Sequence, residues 1–329
     1  MKEEIREGLK NDVDFPVMMA PMFLISNPDM VVQACQNGVI GTFPALNART
    51  NEALAGWMQE INSALTAIRQ KNPSQKIAPW GVNYIVHRSN KRYKEDFALI
   101  DKYQPPIVIT SLGDPGPIAE VVHAYGGVVF SDVINIRFAK KAIEKGADGL
   151  VLVAAGAGGH GGEYNPISFV HEVRTFFDGS IALGGGMTKG EDILATELLG
   201  ADFAYLGTRF IPSEESSAQQ AYKEMITETS IEDILYTPAF SGVPANYLIP
   251  SITQAGLDPK ALQTKEIDFS ELYNNEAKAW KDIWGAGQGV GSIHDIQSVS
   301  MIIAQLKKEY DEAIEKTVKK HNRLYTAKK

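Results

Sequence analysis

One cysteine, Cys35, stands among 329 residues. A lone thiol excludes an intramolecular disulfide and any zinc cluster built from several thiolates, and it suits a reducing compartment. No apolar run approaches the ~18 residues that a membrane-spanning helix needs. The charged opening MKEEIREGLKND has no apolar signal core behind it. The chain is therefore expected to be soluble and cytoplasmic, with no membrane partner. Positive charge is also short: 32 Lys and Arg face 40 Asp and Glu, a net charge of −8. No basic stripe exists to track a phosphate backbone, so nucleic acid is not an expected partner.

Several chemical signatures are missing as well. No glycine loop precedes a Walker lysine and no GxGxxG opens a βαβ unit, which disfavours a nucleoside triphosphate site and a Rossmann fold. No HExxH or other close set of histidines and carboxylates occurs, so no metal is implied. No GxSxG elbow presents a nucleophilic serine.

Glycine is what the chain has, placed where strands end. Gly149 to Gly162 reads GLVLVAAGAGGHGG. The apolar run Leu150–Val153 is written like a parallel strand buried on both faces. Glycine and alanine follow, with a single imidazole, His160, among them. Such a segment lets backbone approach a flat or phosphorylated ligand. An imidazole, with an ordinary pKa of about 6.5, moves protons near neutrality.

In chain order, apolar strands are expected at 17–22, 39–43, 79–85, 107–112, 128–133, 150–153, 181–184 and 203–206. Helical patterns separate them. Ser26-Asn27-Pro28 opens the first, with proline just inside the start. Eight βα alternations in about 210 residues predict a parallel sheet with helical crossovers. Eight units close into a (β/α)8 TIM barrel, with an open doubly wound sheet as the alternative. From Ile211 the pattern breaks, and the segment is expected to be an inserted, mainly helical lid carrying Trp280 and Trp284. The division is 1–212 and 286–329 for the barrel and 213–285 for the lid. After the GAGQGVG loop at Gly285–Gly291, Ser292 and Asp295 form an expected capping pair. The final helix is expected to carry Ile293, Ile296, Val299, Ile303 and Leu306 on one face.

Barrels bind ligands where their strands end. The residues there are Ala20-Pro21-Met22, Asn83, Gly158-Gly159-His160, Gly184-Gly185-Gly186 and Gly207-Thr208. Glycines after strand seven and Gly-Thr after strand eight offer backbone N–H groups and a hydroxyl, a recipe for binding phosphate. Ser111 and Asp132 are placed to line the same cavity. His87 is the second candidate base. A phosphorylated organic cofactor under a histidine remains, and FMN fits best.

At these residues the chain resembles the nitronate monooxygenase family, FMN barrels also known as 2-nitropropane dioxygenases. The resemblance runs through APM at 20–22, GVN at 81–83, AGGHGG at 157–162, GGGMTKG at 184–190, YLGTRF at 205–210 and the late GAGQGVG. It implies an FMN-dependent oxidoreductase that oxidises alkyl nitronates or nitroalkanes with O2. NAD(P)H-dependent quinone and enoyl-thioester reductases with FMN look similar and stand as the alternative. By matching position, Pro21, Met22, Asn83, Gly158, Gly159, Gly185 and Gly186 would hold the cofactor. Tyr205, Leu206, Gly207 and Thr208 would join them, the last two nearest the phosphate. His160 would be the catalytic base. Members of the family usually carry glutamine or glutamate where this chain has Ala155, and a longer loop before the Gly-Gly-His.

Overall fold

The computed structural model describes residues 2–87, 89–264 and 282–326. Helix α1 (Lys2–Asn11) comes first, then the strands β1 (Val17–Met19), β2 (Ile40–Pro44), β3 (Trp80–Ile85), β4 (Ile107–Ser111), β5 (Val128–Val133) and β6 (Gly149–Val153). A two-residue strand, β7 (Gly159–His160), lies outside the main sheet. β8 (Ser180–Gly184) and β9 (Phe203–Leu206) complete it. The order β1-β2-β3-β4-β5-β6-β8-β9 closes into a barrel, every neighbouring pair parallel. Closure removes both sheet edges, so every barrel strand finds a partner on each side.

Alternation along the strands fills the barrel. Met18, Ile40, Ile107, Ile109, Phe130, Val151, Ala182 and Phe203 form one buried interior cluster. The intervening residues, among them Val17, Val82 and Val108, face the helices and join the largest core. Helix α1 belongs to the interior cluster through Ile5 and Leu9. It is pinned by Arg6 Nε on Asp202 Oδ1 at 2.6 Å and by Lys2 Nζ on the Ala147 carbonyl at 2.9 Å. The charged opening of the chain is thus a plug for the N-terminal end of the barrel. Ligands must enter at the opposite mouth.

Helix starts follow the local chemistry of the sequence. Asn27 Oδ1 accepts from Met30 N at the head of α2 (Pro28–Gln36), and Thr50 Oγ1 from Ala53 N at α3 (Asn51–Lys71). Between the strands, α4 (Tyr93–Tyr103), α5 (Gly116–Ala124), α6 (Ile136–Glu144), α7 (Pro166–Arg174) and α8 (Gly190–Leu198) supply the outer ring.

Beyond β9 the chain makes a short 3₁₀ turn, Thr208–Phe210, and then α9 (Gln220–Glu228). It continues as β10 (Ile234–Thr237), β11 (Ala245–Leu248) and α10 (Ile249–Gln254). β10 and β11 are antiparallel, and β11 pairs in turn with β7. Among the described residues, the inserted segment therefore carries a hairpin as well as helices. Trp280 lies outside the described residues. Trp284 stacks on Tyr222, centroids 4.8 Å apart and planes 10° apart.

The last helix corrects one expectation. It runs from Val299 to Thr326, so Ile293 and Ile296 precede it and Ser292 and Asp295 do not cap it. Residues before it are held by other partners: Gln297 bridges to Ser213, and its N–H donates to the Pro212 carbonyl. The carboxylate of Glu215 accepts from Val299 N at 2.9 Å, meeting an orphan donor at the helix head with negative charge.

Candidate active site

At the mouth of the barrel the strand ends and loops enclose a cavity of about 1080 Å3. That is the upper end of the ~300–1,000 Å3 usual for one small-molecule site, room for a cofactor and a second molecule together.

Three glycine loops form one wall. After β8, Gly185 and Gly186 take φ of 153° and 72°, backbone that a side chain disfavours. A Cβ on Gly185 would come 2.8 Å from the Ala155 carbonyl. Beside them sit Gly207 and Thr208 at the end of β9, and Gly158 and Gly159 after β6. The late GAGQGVG loop clamps all three. Gly287 N donates to Thr208 Oγ1 at 2.8 Å, and Gln288 N to the Gly156 carbonyl at 2.9 Å. Thr208 Oγ1 accepts that bond and keeps its own proton to donate. After β9 only the 3₁₀ turn follows, so the donors there are turn amides and one hydroxyl, with no full helix behind them. The wall's lack of side chains leaves space for a broad flat ring.

The wall formed after β1 is apolar and tightly tied. Pro21 and Met22 line the cavity. Asn47 fixes their loop, its Nδ2 donating to the Met22 carbonyl at 2.9 Å and the Ser26 carbonyl at 2.8 Å, its Oδ1 accepting from Leu24 N at 2.9 Å. Leu24 takes φ of 63°, a strained position for leucine and one found at binding sites.

The floor is polar. Asn83 from β3, Ser111 from β4, Asp132 from β5 and Tyr205 from β9 reach it. Asn83 Nδ2 donates to the Ile109 carbonyl at 3.1 Å and to Ser111 Oγ at 2.7 Å. Ser111 Oγ donates to Asp132 Oδ2 at 2.5 Å. Asp132 Oδ1 is buried with no hydrogen-bond partner among the described residues. Burial pushes this carboxyl up to about 6, against the opposing pull of the Ser111 hydroxyl. Tyr205 is pushed well above 10, first by burial and then by the neighbouring Asp132, so it stays neutral.

His160 hangs over the cavity from β7. Its register partner on β11 is Ala245, and Gly159 pairs with Asn246. The glycine loop around it is tied down by Asn246 Nδ2 on the Ala157 carbonyl at 2.6 Å and by Tyr236 Oη on the Gly161 carbonyl at 2.9 Å. His160 Nε2 lies 2.7 Å from Ser241 Oγ, and Ser241 Oγ donates to the Val243 carbonyl at 3.1 Å. The hydrogen bond between Nε2 and Ser241 Oγ fixes the plane of the ring. Burial lowers the imidazole pKa to about 4. The ring is therefore neutral at pH 7, the form that accepts a proton.

Most of the residues singled out by the sequence thus meet in one cavity, with two exceptions. Leu206 is fully buried in the core outside the barrel, and it serves by its carbonyl, which accepts from Ala20 N at 2.9 Å. His87 does not line the cavity, since Ser89 folds back on its Nδ1 at 2.7 Å. Sequence reasoning missed Ser241, Asn246 and Asn47. Phe240-Ser241-Gly242, with Gly242 at φ of 74°, was the only local sign of the first.

Comparison with known proteins gives a consistent answer. The family model described as nitronate monooxygenase matches residues 8–309. A nitronate monooxygenase of Paraburkholderia phytofirmans is 27% identical over 92% of this chain and 94% of its own length. One from Neurospora crassa is 25% identical over 91% and 90%. Among solved structures, nitroalkane oxidase from Streptomyces ansochromogenes superposes with a TM-score of 0.78 at 20% identity, over 94% of this chain and 99% of the other. FabK from Thermotoga maritima gives 0.76 at 23%, over 94% and 96%. At these identities the two structures attest the fold alone.

Proposed function

Because the chain belongs to the nitronate monooxygenase family, we propose that it is an FMN-dependent oxidoreductase that oxidises alkyl nitronates and nitroalkanes with O2. The observation that carries this reading is one neutral imidazole, oriented by Ser241, over a cavity with a glycine-lined wall.

FMN fits that cavity by its two ends. Its phosphate matches the amides of Gly185, Gly186 and Gly207 and the Thr208 hydroxyl; its ring needs the space that the glycines leave and the polar floor beneath. When bound, the flavin supplies the electron transfer and the reaction with dioxygen. The chain's own part is binding and proton handling. A nitroalkane is a carbon acid. The His160 imidazole removes its α-proton, and the nitronate that results is kept beside the ring by the cavity. The described part of the expected lid, residues 213–264 and 282–285, brings β11 and Ser241 to the histidine and covers the mouth.

Anaerobic mixing of the yellow protein tests the reading. Propyl-2-nitronate is expected to bleach the flavin, while NADPH bleaches it slowly or not at all. Rapid bleaching by NADPH alone would make the protein an NAD(P)H-dependent reductase of quinones or enoyl thioesters.

The acid limb of the pH profile is a second expected result. An imidazole protonated at about 4 remains a base down to about pH 5. With nitroethane, kcat/KM is expected to stay level from pH 8 to 5 and to halve near pH 4. A limb centred near 6.5, the ordinary value, would place the base in solvent and remove His160 from the role.

A further inference from the structure

The proposed chemistry leaves one carboxyl of the cavity floor without a task. Its surroundings fix its hydrogen-bond directions. The Ile109 carbonyl can only accept, so Asn83 must donate from Nδ2, and its second hydrogen goes to Ser111 Oγ. Ser111 then donates to Asp132 Oδ2. Oδ2 is committed as an acceptor, so a proton taken up by this carboxyl goes to Oδ1, the buried atom with no partner among the described residues.

The position of Asp132 follows from the strand order. The glycine loops sit at the ends of β8 and β9. Across the closed ring from them lie β3, β4 and β5, which carry Asn83, Ser111 and Asp132. A ligand with its phosphate on β8 and β9 must lay its ring across the mouth toward that side.

We propose that Asp132, held by Ser111 and Asn83, faces the ring of the bound flavin and sets how readily that ring is reduced. Ionised, it opposes the negative charge that added electrons bring; protonated, it donates a hydrogen bond from Oδ1 instead. The inference rests on the flavin reading above and adds a role that the base chemistry does not need. Its carboxyl, pushed up to about 6 by burial, changes charge within the working range of pH. The other groups around it are few. Tyr205 on β9 and His160 on β7 are neutral at pH 7, and Val153 on β6 is apolar. Lys141 and Glu144 of α6, Lys145 just after it and Asp114 before α5 also line the cavity, where Lys145 pairs with Asp114 at 3.3 Å.

The test is the midpoint potential of the flavoprotein, titrated anaerobically against a reference dye from pH 5 to 8. Asp132→Asn is expected to shift the redox equilibrium at pH 8 at least tenfold toward the reduced form, about 30 mV for a two-electron couple. The gap should vanish at pH 5, where wild type is protonated. Ser111→Ala, which removes the donor to Oδ2, should move the opening of that gap to higher pH. Coincident potentials for wild type and Asp132→Asn at every pH would overturn the proposal. A wild-type protein that takes up no flavin would instead sink the cofactor reading, so the two failures are told apart by the chromophore.

Discussion

His160→Asn is expected to leave the protein yellow while turnover of nitroethane falls by about 10²–10⁴-fold, the usual contribution of a positioned general base. Turnover of preformed propyl-2-nitronate should fall less than tenfold, because that substrate arrives already deprotonated. Asparagine is close in size, and its amide can still meet Ser241 Oγ, which the imidazole approaches at 2.7 Å. The cavity should therefore keep its shape and its cofactor. Steady-state rates on the two substrates, with the flavin content of each preparation, give the comparison. Equal losses on both would show that the ring serves binding or architecture, and the base would have to be sought elsewhere in the cavity.

Gly289→Ala should produce the largest loss of cofactor. A Cβ there would lie 2.2 Å from the Gly186 carbonyl and 2.8 Å from Thr188 Cγ2, contacts that only backbone movement relieves. The loop that moves is the one whose amides hold Thr208 and Gly156. Thr188 also bonds to it, through the Gly289 carbonyl at 3.3 Å and Ser292 Oγ at 2.5 Å. Overpacking of this kind costs about 1–3 kcal/mol, which is about a 5- to 150-fold weaker flavin Kd if the strain falls on the cradle. Fluorescence titration of the apoprotein measures it. Gly56→Ala is the matched control: it sits within α3 with nothing inside 4 Å of its Cβ, so it should bind flavin as wild type does and gain stability. Wild-type affinity in Gly289→Ala would detach the late loop from the cofactor site.

What the sequence displays and what it hides follow from how far each contact reaches along the chain. Eight apolar runs, each with its own turn chemistry, are local features, and the strands fall within a few residues of where hydrophobicity puts them. The shortfall at β1 is typical: Val17 to Met22 is apolar throughout, but the ladder ends with Ala20 N on the Leu206 carbonyl, because Pro21 has no N–H to donate and Met22 N turns to Ser26 Oγ. The glycine loops were visible because glycine at strand ends has a backbone meaning that needs no partner. Ser241 was not, since its partner lies 81 residues away and β7 is too short to leave any periodicity. The last helix misled for the opposite reason. Ile293, Ile296 and Val299 keep helical spacing, yet Gln297 is taken by Pro212 and Ser213, and tertiary pairing overrides the pattern.

The ladder between β7 and β11 is only two rungs long: Ala245 opposite His160, Asn246 opposite Gly159. The barrel supplies the vessel, but the imidazole over it is held by a hairpin that belongs to a different stretch of chain. Swapping or lengthening that hairpin would re-aim the imidazole without disturbing a single stave, because its two rungs are separate from the barrel ladder.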